Sequence, residues 1–228
     1  MNTSSTLKKS IITVISATFA RCAVFAPLSV YLSYLYTYIE SVTLGIFMTV
    51  CRVIADFLVC LSVYAMLGGI YTLVRAHKIK GASLCAASYI LSLAAGALIS
   101  YFIELLLVKA GMTDYTEAMF AEETGDIFLT AVISLLSALF LLFFTFVFSF
   151  ALRPASDRAV RLFSLISYTV GVMIQEAVSL VALVAAYGAP SDVFEVLSLS
   201  MPFIEQGVFA VAGYYFIGIF QPQKEHNS

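Results

Sequence analysis

Six long apolar segments, separated by short polar connections, restrict what this sequence can fold into. Each has at least the roughly 20 residues that a helix needs to cross the hydrocarbon core of a bilayer. In lipid, a single segment satisfies all of its backbone hydrogen bonds only as a helix. We therefore predict an all-α polytopic membrane helix bundle with six transmembrane helices, forming one integral membrane domain over residues 1–228. The predicted spans cover residues 11–38, 43–74, 82–108, 127–152, 161–187 and 194–220.

The amino-acid composition indicates a membrane protein and not a soluble one. Of the 228 residues, 61% are hydrophobic and 11% are charged, against roughly a half and a quarter in soluble domains. The net charge is −2, and no basic region suggests nucleic-acid binding, so the lipid bilayer is the expected partner. Each of the four cysteines falls in an apolar segment, where the most economical interpretation is a small buried side chain. No cofactor and no metal site are expected.

The positively charged residues predict the orientation of the spans. Basic residues are enriched in cytoplasmic connections of membrane proteins. If the spans alternate in direction, the polar N-terminal tail over residues 1–10 lies on the same side as the second and fourth connections and the C-terminal tail. This side carries nine basic residues, and the other side carries only Lys109. The nine residues are Lys8, Lys9, Arg75, Lys78, Lys80, Arg153, Arg158, Arg161 and Lys224. Both termini are therefore expected in the cytoplasm, and the expected location is the plasma membrane of a bacterium.

The connection between the third and fourth predicted spans is acidic. Asp114 is followed three residues later by Glu117, a capping-box pattern that begins helices, and Gly125 is a natural stop. We predict a short extracytoplasmic helix over residues 114–124. The acidic residues of this connection either form the solvated face of that helix or attract external cations.

Two glutamates inside the last two predicted spans are the candidate functional residues. Counting about 1.5 Å per residue from the cytoplasmic ends, Glu176 and Glu205 both lie about 20 Å into the membrane. A carboxylate at that depth costs about 3 kcal/mol, so each requires a partner, a proton or water. Since these helices are antiparallel neighbours in sequence, the two acids are expected to face each other and to bind a cation or a small solute.

Polar groups next to the glutamates extend this predicted site. Gln175 precedes Glu176, and Gln206 follows Glu205. Pro202 has no N–H and leaves the carbonyl of Ser198 without its helical donor, so Ser198 is included in the site. Interrupted helices of this kind occur at the binding sites of transporters, although an ordinary proline kink explains the same residues.

Four charged residues in the first three spans are candidate partners of these acids. Arg21 and Arg52 are either buried cations or markers of span boundaries. Asp56 follows Arg52 by four residues on the same helical face, and Glu104 is expected near Arg52 at the outer rim. If both arginines are buried, two positive charges meet three acids, Asp56, Glu176 and Glu205. The remaining acid then takes up a proton or binds a cation.

These observations favour a small-solute or ion transporter, or the substrate-binding membrane subunit of one, which would need other membrane subunits. In size and number of spans the chain resembles the substrate-binding subunits of energy-coupling-factor vitamin importers. The alternative is a non-transporting membrane scaffold or accessory subunit whose buried charges specify helix packing. We do not expect an enzyme, because no H-E-x-x-H motif is present and His77 and His226 lie outside the spans.

Overall fold

All of the described secondary structure is helical. A computed structural model describes residues 3–39, 41–112, 132, 135–136, 138–151, 156–166, 168–169 and 193–219, and no strand occurs among them. The helices are α1 (Thr3–Ala20), α2 (Ala26–Ile39), α3 (Val42–Arg75), α4 (Ile79–Lys109), α5 (Ala138–Ala151), α6 (157–166) and α7 (Val193–Gly218). A short π-helix, Arg21–Phe25, joins α1 to α2. The all-α prediction is confirmed for these parts of the chain.

In the described part of the chain, three helices are long and apolar enough to cross a membrane. They are Ser4–Ile39, Val42–Arg75 and Ile79–Lys109, with 36, 34 and 31 residues. At 1.5 Å per residue each exceeds the roughly 30 Å hydrocarbon core, so each either tilts or extends past the core. The total of six spans and the orientation of the termini stay predictions. The predicted helix over residues 114–124 and most of the span over 161–187 lie outside the described residues.

The predicted polar tail over residues 1–10 is helical from Thr3 onward. Helix α1 begins at Thr3, and Ser10 is completely buried. The Ser10 hydroxyl donates a hydrogen bond of 2.6 Å to the carbonyl of Ala65 in α3. A helix can continue through such a tail, because charge marks where a helix leaves lipid and not where its backbone stops being helical.

Helix α3 is the central helix of the described structure. It contacts α1, α2, α4 and α7, and every residue from 62 to 74 is buried. Gly69 lets three helices approach closely, since a Cβ there would lie 2.9 Å from the Cys85 sulfur of α4 and 2.9 Å from the Ser10 Cβ of α1. The Ser10 hydroxyl and the Cys85 thiol are themselves 3.0 Å apart. Small side chains at this junction replace the larger apolar contacts of a soluble core.

Many large apolar side chains point away from the bundle. Leu91 and Leu106 of α4 are 68% and 64% exposed, and Phe140 and Phe143 of α5 are 66% and 64% exposed. Exposed apolar area on this scale is unusual for a protein surrounded by water. It suits a protein surrounded by lipid.

Helices α3 and α4 end in the same backbone motif with different residues. At the end of α3, His77 N–H bonds the Val74 carbonyl at 3.0 Å, and Lys78 N–H bonds the Leu73 carbonyl at 2.9 Å. Gly111 and Met112 make the corresponding bonds at the end of α4, and both ends are Schellman motifs. The motif needs positive φ at its C′ residue, which is 65° at Gly111 and 58° at His77. Glycine adopts that conformation at no steric cost, and histidine does not.

Candidate functional site

A row of polar residues runs along α3 at intervals of four. Arg52, Asp56, Cys60 and Tyr64 occupy successive turns of this helix, and residues four apart are neighbours on a helix surface. The row becomes more enclosed toward the C-terminus: Arg52 is exposed, Asp56 is half-buried, and Cys60 and Tyr64 are 2% and 3% exposed. It therefore leads from the outside of the chain into its core.

The acid in this row interacts with two arginines. The Asp56 carboxylate experiences the positive charges of Arg52 and Arg21. Arg21, from the first membrane-candidate helix, also interacts electrostatically with the buried Tyr89 of α4. These contacts bring residues from three helices to one region.

Arg21 is the first residue of the π-helix that interrupts the first long helix. The Ala26 N–H bonds the carbonyl of Arg21, five residues back. Pro27, which follows directly, has no N–H to donate to the carbonyl of Ala23. The regular series of helical hydrogen bonds is therefore interrupted here by the proline as well. Single π turns inside α-helices occur frequently at functional sites.

Helix α7 supplies the second acid and an amide. The Cys60 thiol donates a hydrogen bond of 3.8 Å to Oε1 of Gln206. Cys60 also experiences the negative charges of both Asp56 and Glu205, and the Oε1 atom of Glu205 is buried. Cys60 thus lies within the electrostatic influence of an acid on α3 and of an acid on α7.

Aromatic hydroxyl groups surround the deeper side of the site. The hydroxyl of Tyr168 is a hydrogen-bond partner of the Cys60 thiol. The rings of Tyr168 and Tyr64 pack edge to face, with centroids 5.4 Å apart. Tyr64 in turn lies against the backbone of α7 at Gly213, where an added Cβ would come within 2.6 Å of the ring.

The predicted site residues fall into three groups in the structure. Asp56, Glu205 and Gln206 all interact with Cys60, and Arg21 and Arg52 are linked to this group through Asp56, Arg52 from an exposed position. Glu104 is half-buried on α4, and its predicted pairing with Arg52 stays a prediction. Gln175 and Glu176 lie outside the described residues, as does the side chain of Ser198, so the predicted facing pair of glutamates also stays a prediction.

Sequence reasoning missed the neutral members of the site: Cys60, Tyr64, Tyr89 and Tyr168. Cys60 was interpreted as a small buried side chain, and it is buried, yet it also joins α3 to α7. The spacing of four from Arg52 through Asp56 and Cys60 to Tyr64 was the available signal. Tyr89 and Tyr168 show no such spacing in the sequence. They belong to the site because tertiary packing places them there.

Chemically, the arrangement combines acids, an amide, a thiol and phenols inside apolar helices. The acids offer charge to a cation, and the amide and hydroxyl groups offer hydrogen bonds to a polar solute. Within the described residues, no group of three or more His, Cys, Asp or Glu side chains is placed to hold a metal ion. No protein-family model, curated protein or solved structure matches the chain.

Proposed function

We propose that this chain is a multi-spanning plasma membrane protein, with six spans and both termini in the cytoplasm, that transports a small solute or an ion or captures it as the membrane subunit of a transporter. The proposed binding site contains Asp56, Cys60, Glu205 and Gln206, with Glu176 and Gln175 as further members. Three described helices long and apolar enough to span a membrane support the membrane assignment.

One observation supports the proposal: acids on two different helices, Asp56 of α3 and Glu205 of α7, both lie near enough to the buried Cys60 thiol to act on it electrostatically. Asp56 and Glu205 both act on Cys60, and α3 and α7 pack directly against each other. Ionisable residues inside membrane helices are expensive and generally mark substrate pathways, ion pathways or proton relays.

The charge balance supports a titrating or cation-binding site. Arg21 and Arg52 supply two positive charges, and Asp56 and Glu205 supply two negative charges. Glu176, if it faces the same interior, is a third acid that these arginines do not neutralise. A proton or a bound cation then completes the balance.

Flux measurements on the full chain in proteoliposomes test the proposal. Uptake of radiolabelled or fluorescent cations and of small polar solutes is measured under imposed proton and sodium gradients. Asp56→Asn and Glu205→Gln should each reduce flux at least about tenfold, because each removes a charged group that binds the ligand. Asp157→Asn is the matched control, because this acid pairs with Arg75 at the end of α3, outside the proposed site.

Folding of each variant is checked by gel filtration and circular dichroism. Absence of flux under every gradient with the wild-type chain would contradict an autonomous transporter. Equal flux in the wild type and both site variants would contradict the assigned site.

A second candidate function is that of a non-transporting scaffold. It is favoured because the negative charge of Asp56 lies near the positive charges of two arginines, Arg52 and Arg21. Paired charges of this kind specify which helices pack together without any ligand. The scaffold requires a stable partner in native membranes, so co-purification with a defined stoichiometry distinguishes it. Recovery of the chain alone, together with flux in liposomes, would exclude the scaffold.

A further inference from the structure

A cleft with a cationic rim opens where the ends of three helices meet. It encloses about 590 Å³ and is lined by residues of α1, α3, α4 and the connection between α3 and α4. This volume lies within the range of roughly 300–1,000 Å³ that small-molecule sites occupy. The lining residues are Ser4, Leu7, Leu73, His77, Lys78, Ile79, Lys80 and Gly81.

The cleft has an apolar floor and a basic edge. Leu7, Leu73 and Ile79 form the apolar part of the lining, and Ile79 is 45% exposed whereas Leu73 is 1% exposed. Lys78 and Lys80 are exposed at the edge, and the lining contains no acidic residue. Among the described residues, neither lysine forms an ion pair; the cation of this region that does is Arg75, with Asp157.

The position of the cleft matches the boundary of the proposed membrane region. The candidate spans begin at Ser4, end at Arg75 and begin again at Ile79. Ser4 and Ile79 line the cleft, as do residues on either side of Arg75, Leu73 and His77. An apolar floor with cations above it, at the level where hydrocarbon gives way to water, complements an anionic amphiphile. Basic pockets between spanning helices on the cytoplasmic side bind acidic lipid headgroups.

We propose that this cleft binds the phosphate headgroup of an anionic phospholipid, with Lys78 and Lys80 contacting the phosphate and Leu7 and Ile79 contacting the upper acyl chain. A soluble phosphate compound offers the same anion but leaves the apolar floor uncovered, so the lipid is the expected ligand. This site is separate from the acids around Cys60, and its test does not depend on transport.

The full-length chain, purified in a neutral detergent, is titrated with phosphatidylglycerol and, separately, with phosphatidylcholine, and binding is followed by native mass spectrometry and by thermal unfolding. Phosphatidylglycerol is expected to bind and to raise Tm more than phosphatidylcholine. The double variant Lys78→Gln/Lys80→Gln is expected to bind phosphatidylglycerol about thirtyfold more weakly, as two cations near an acidic headgroup predict. Lys109→Gln removes the same charge from the opposite end of α4 and is expected to bind normally.

Two further arms complete the test. Lys78→Arg/Lys80→Arg keeps the charges and is expected to retain binding, which separates lost charge from altered folding. Inorganic phosphate and glycerol 3-phosphate are expected to produce no comparable shift in Tm. The proposal is overturned if the glutamine double variant binds phosphatidylglycerol like the wild type, if Lys109→Gln weakens binding equally, or if soluble phosphate compounds match the lipid.

Discussion

The Cys60 thiol donates a hydrogen bond to Oε1 of Gln206 across 3.8 Å and so connects the central helix α3 to α7. The partners are 146 positions apart in the sequence. The same thiol experiences the charges of Asp56 and Glu205, so this contact lies between the two helices that carry the acids of the proposed site. Mutations that change the approach of α3 and α7 therefore affect both stability and ligand binding.

Gly213 sets the distance between these two helices. Gly213→Ala places a Cβ within 2.6 Å of the Tyr64 ring, and overpacking of this kind costs about 1–3 kcal/mol. Gly207, on the same helix, has no heavy atom within 4 Å of the corresponding Cβ position. Gly207→Ala is therefore expected to be neutral or to stabilise by up to about 1 kcal/mol.

Thermal and denaturant unfolding of both variants in the same detergent gives the comparison. Equal stability of Gly213→Ala and Gly207→Ala would show that Tyr64 does not lie against α7 as described.

Gly69 is expected to be equally intolerant at the junction of α1, α3 and α4. In Gly69→Ala the new methyl group lies 2.9 Å from both the Cys85 sulfur and the Ser10 Cβ, so the free energy of unfolding should fall by about 1–3 kcal/mol. The control is Gly81→Ala, whose nearest contact is an ordinary 3.6 Å to Leu73. Adding Ser10→Gly should recover part of the loss by making room. A Gly69→Ala variant as stable as Gly81→Ala would contradict this junction.

His77 is expected to lower stability through its backbone conformation. With φ of 58°, a residue with a Cβ carries a penalty of roughly 1 kcal/mol, so His77→Gly should raise the free energy of unfolding by up to about that amount in lipid-free detergent. Gly111 occupies the same position at the end of α4 with φ of 65°, and Gly111→Ala should lower stability by a similar amount. The prediction fails if both substitutions shift Tm in the same direction.

Arg21 and Asp56 are expected to be energetically coupled. A double-mutant cycle with Arg21→Gln and Asp56→Asn should show a coupling of about 0.5–3 kcal/mol, as found for contacting or networked residues. The cycle of Asp56→Asn with Lys109→Gln is the control and should be additive to within about 0.5 kcal/mol. Additivity in the first cycle would show that the π-helix does not bring Arg21 to Asp56.

The long helices were predictable because hydrophobicity determines them. The predicted spans over residues 43–74 and 82–108 agree closely with α3, Val42–Arg75, and α4, Ile79–Lys109. The sequence did not indicate that the helix already begins at Thr3, because Thr3 to Ser10 is polar enough to resemble a tail, whereas Ser10 is held by the carbonyl of Ala65. Such a long-range hydrogen bond leaves no local pattern in the sequence.

The charged part of the proposed site was predictable, and the neutral part was not. Asp56 and Glu205 are conspicuous because a charge inside an apolar segment is rare. Cysteine and tyrosine are common in apolar segments, and Cys60 and Tyr168 become part of the site only because tertiary packing brings Gln206 to Cys60 and Tyr168 to Tyr64. The positive φ of His77 was not predictable either, because in the sequence this residue resembles one more member of a basic connection.

The π-helix at Arg21–Phe25 has a consequence for the angular phase of the first long helix. Its hydrogen-bonded turn contains one residue more than an α turn, and one residue corresponds to about 100° of rotation around the axis. The side of α1 that bears Ser10 and Val14 is therefore rotated relative to the side of α2 that would continue it. Removing one residue within 21–25 would change the phase between α1 and α2 by about 100°. The bond of Ser10 to Ala65 and the present packing of α2 against α3 could then not both be kept, so the length of this segment is constrained.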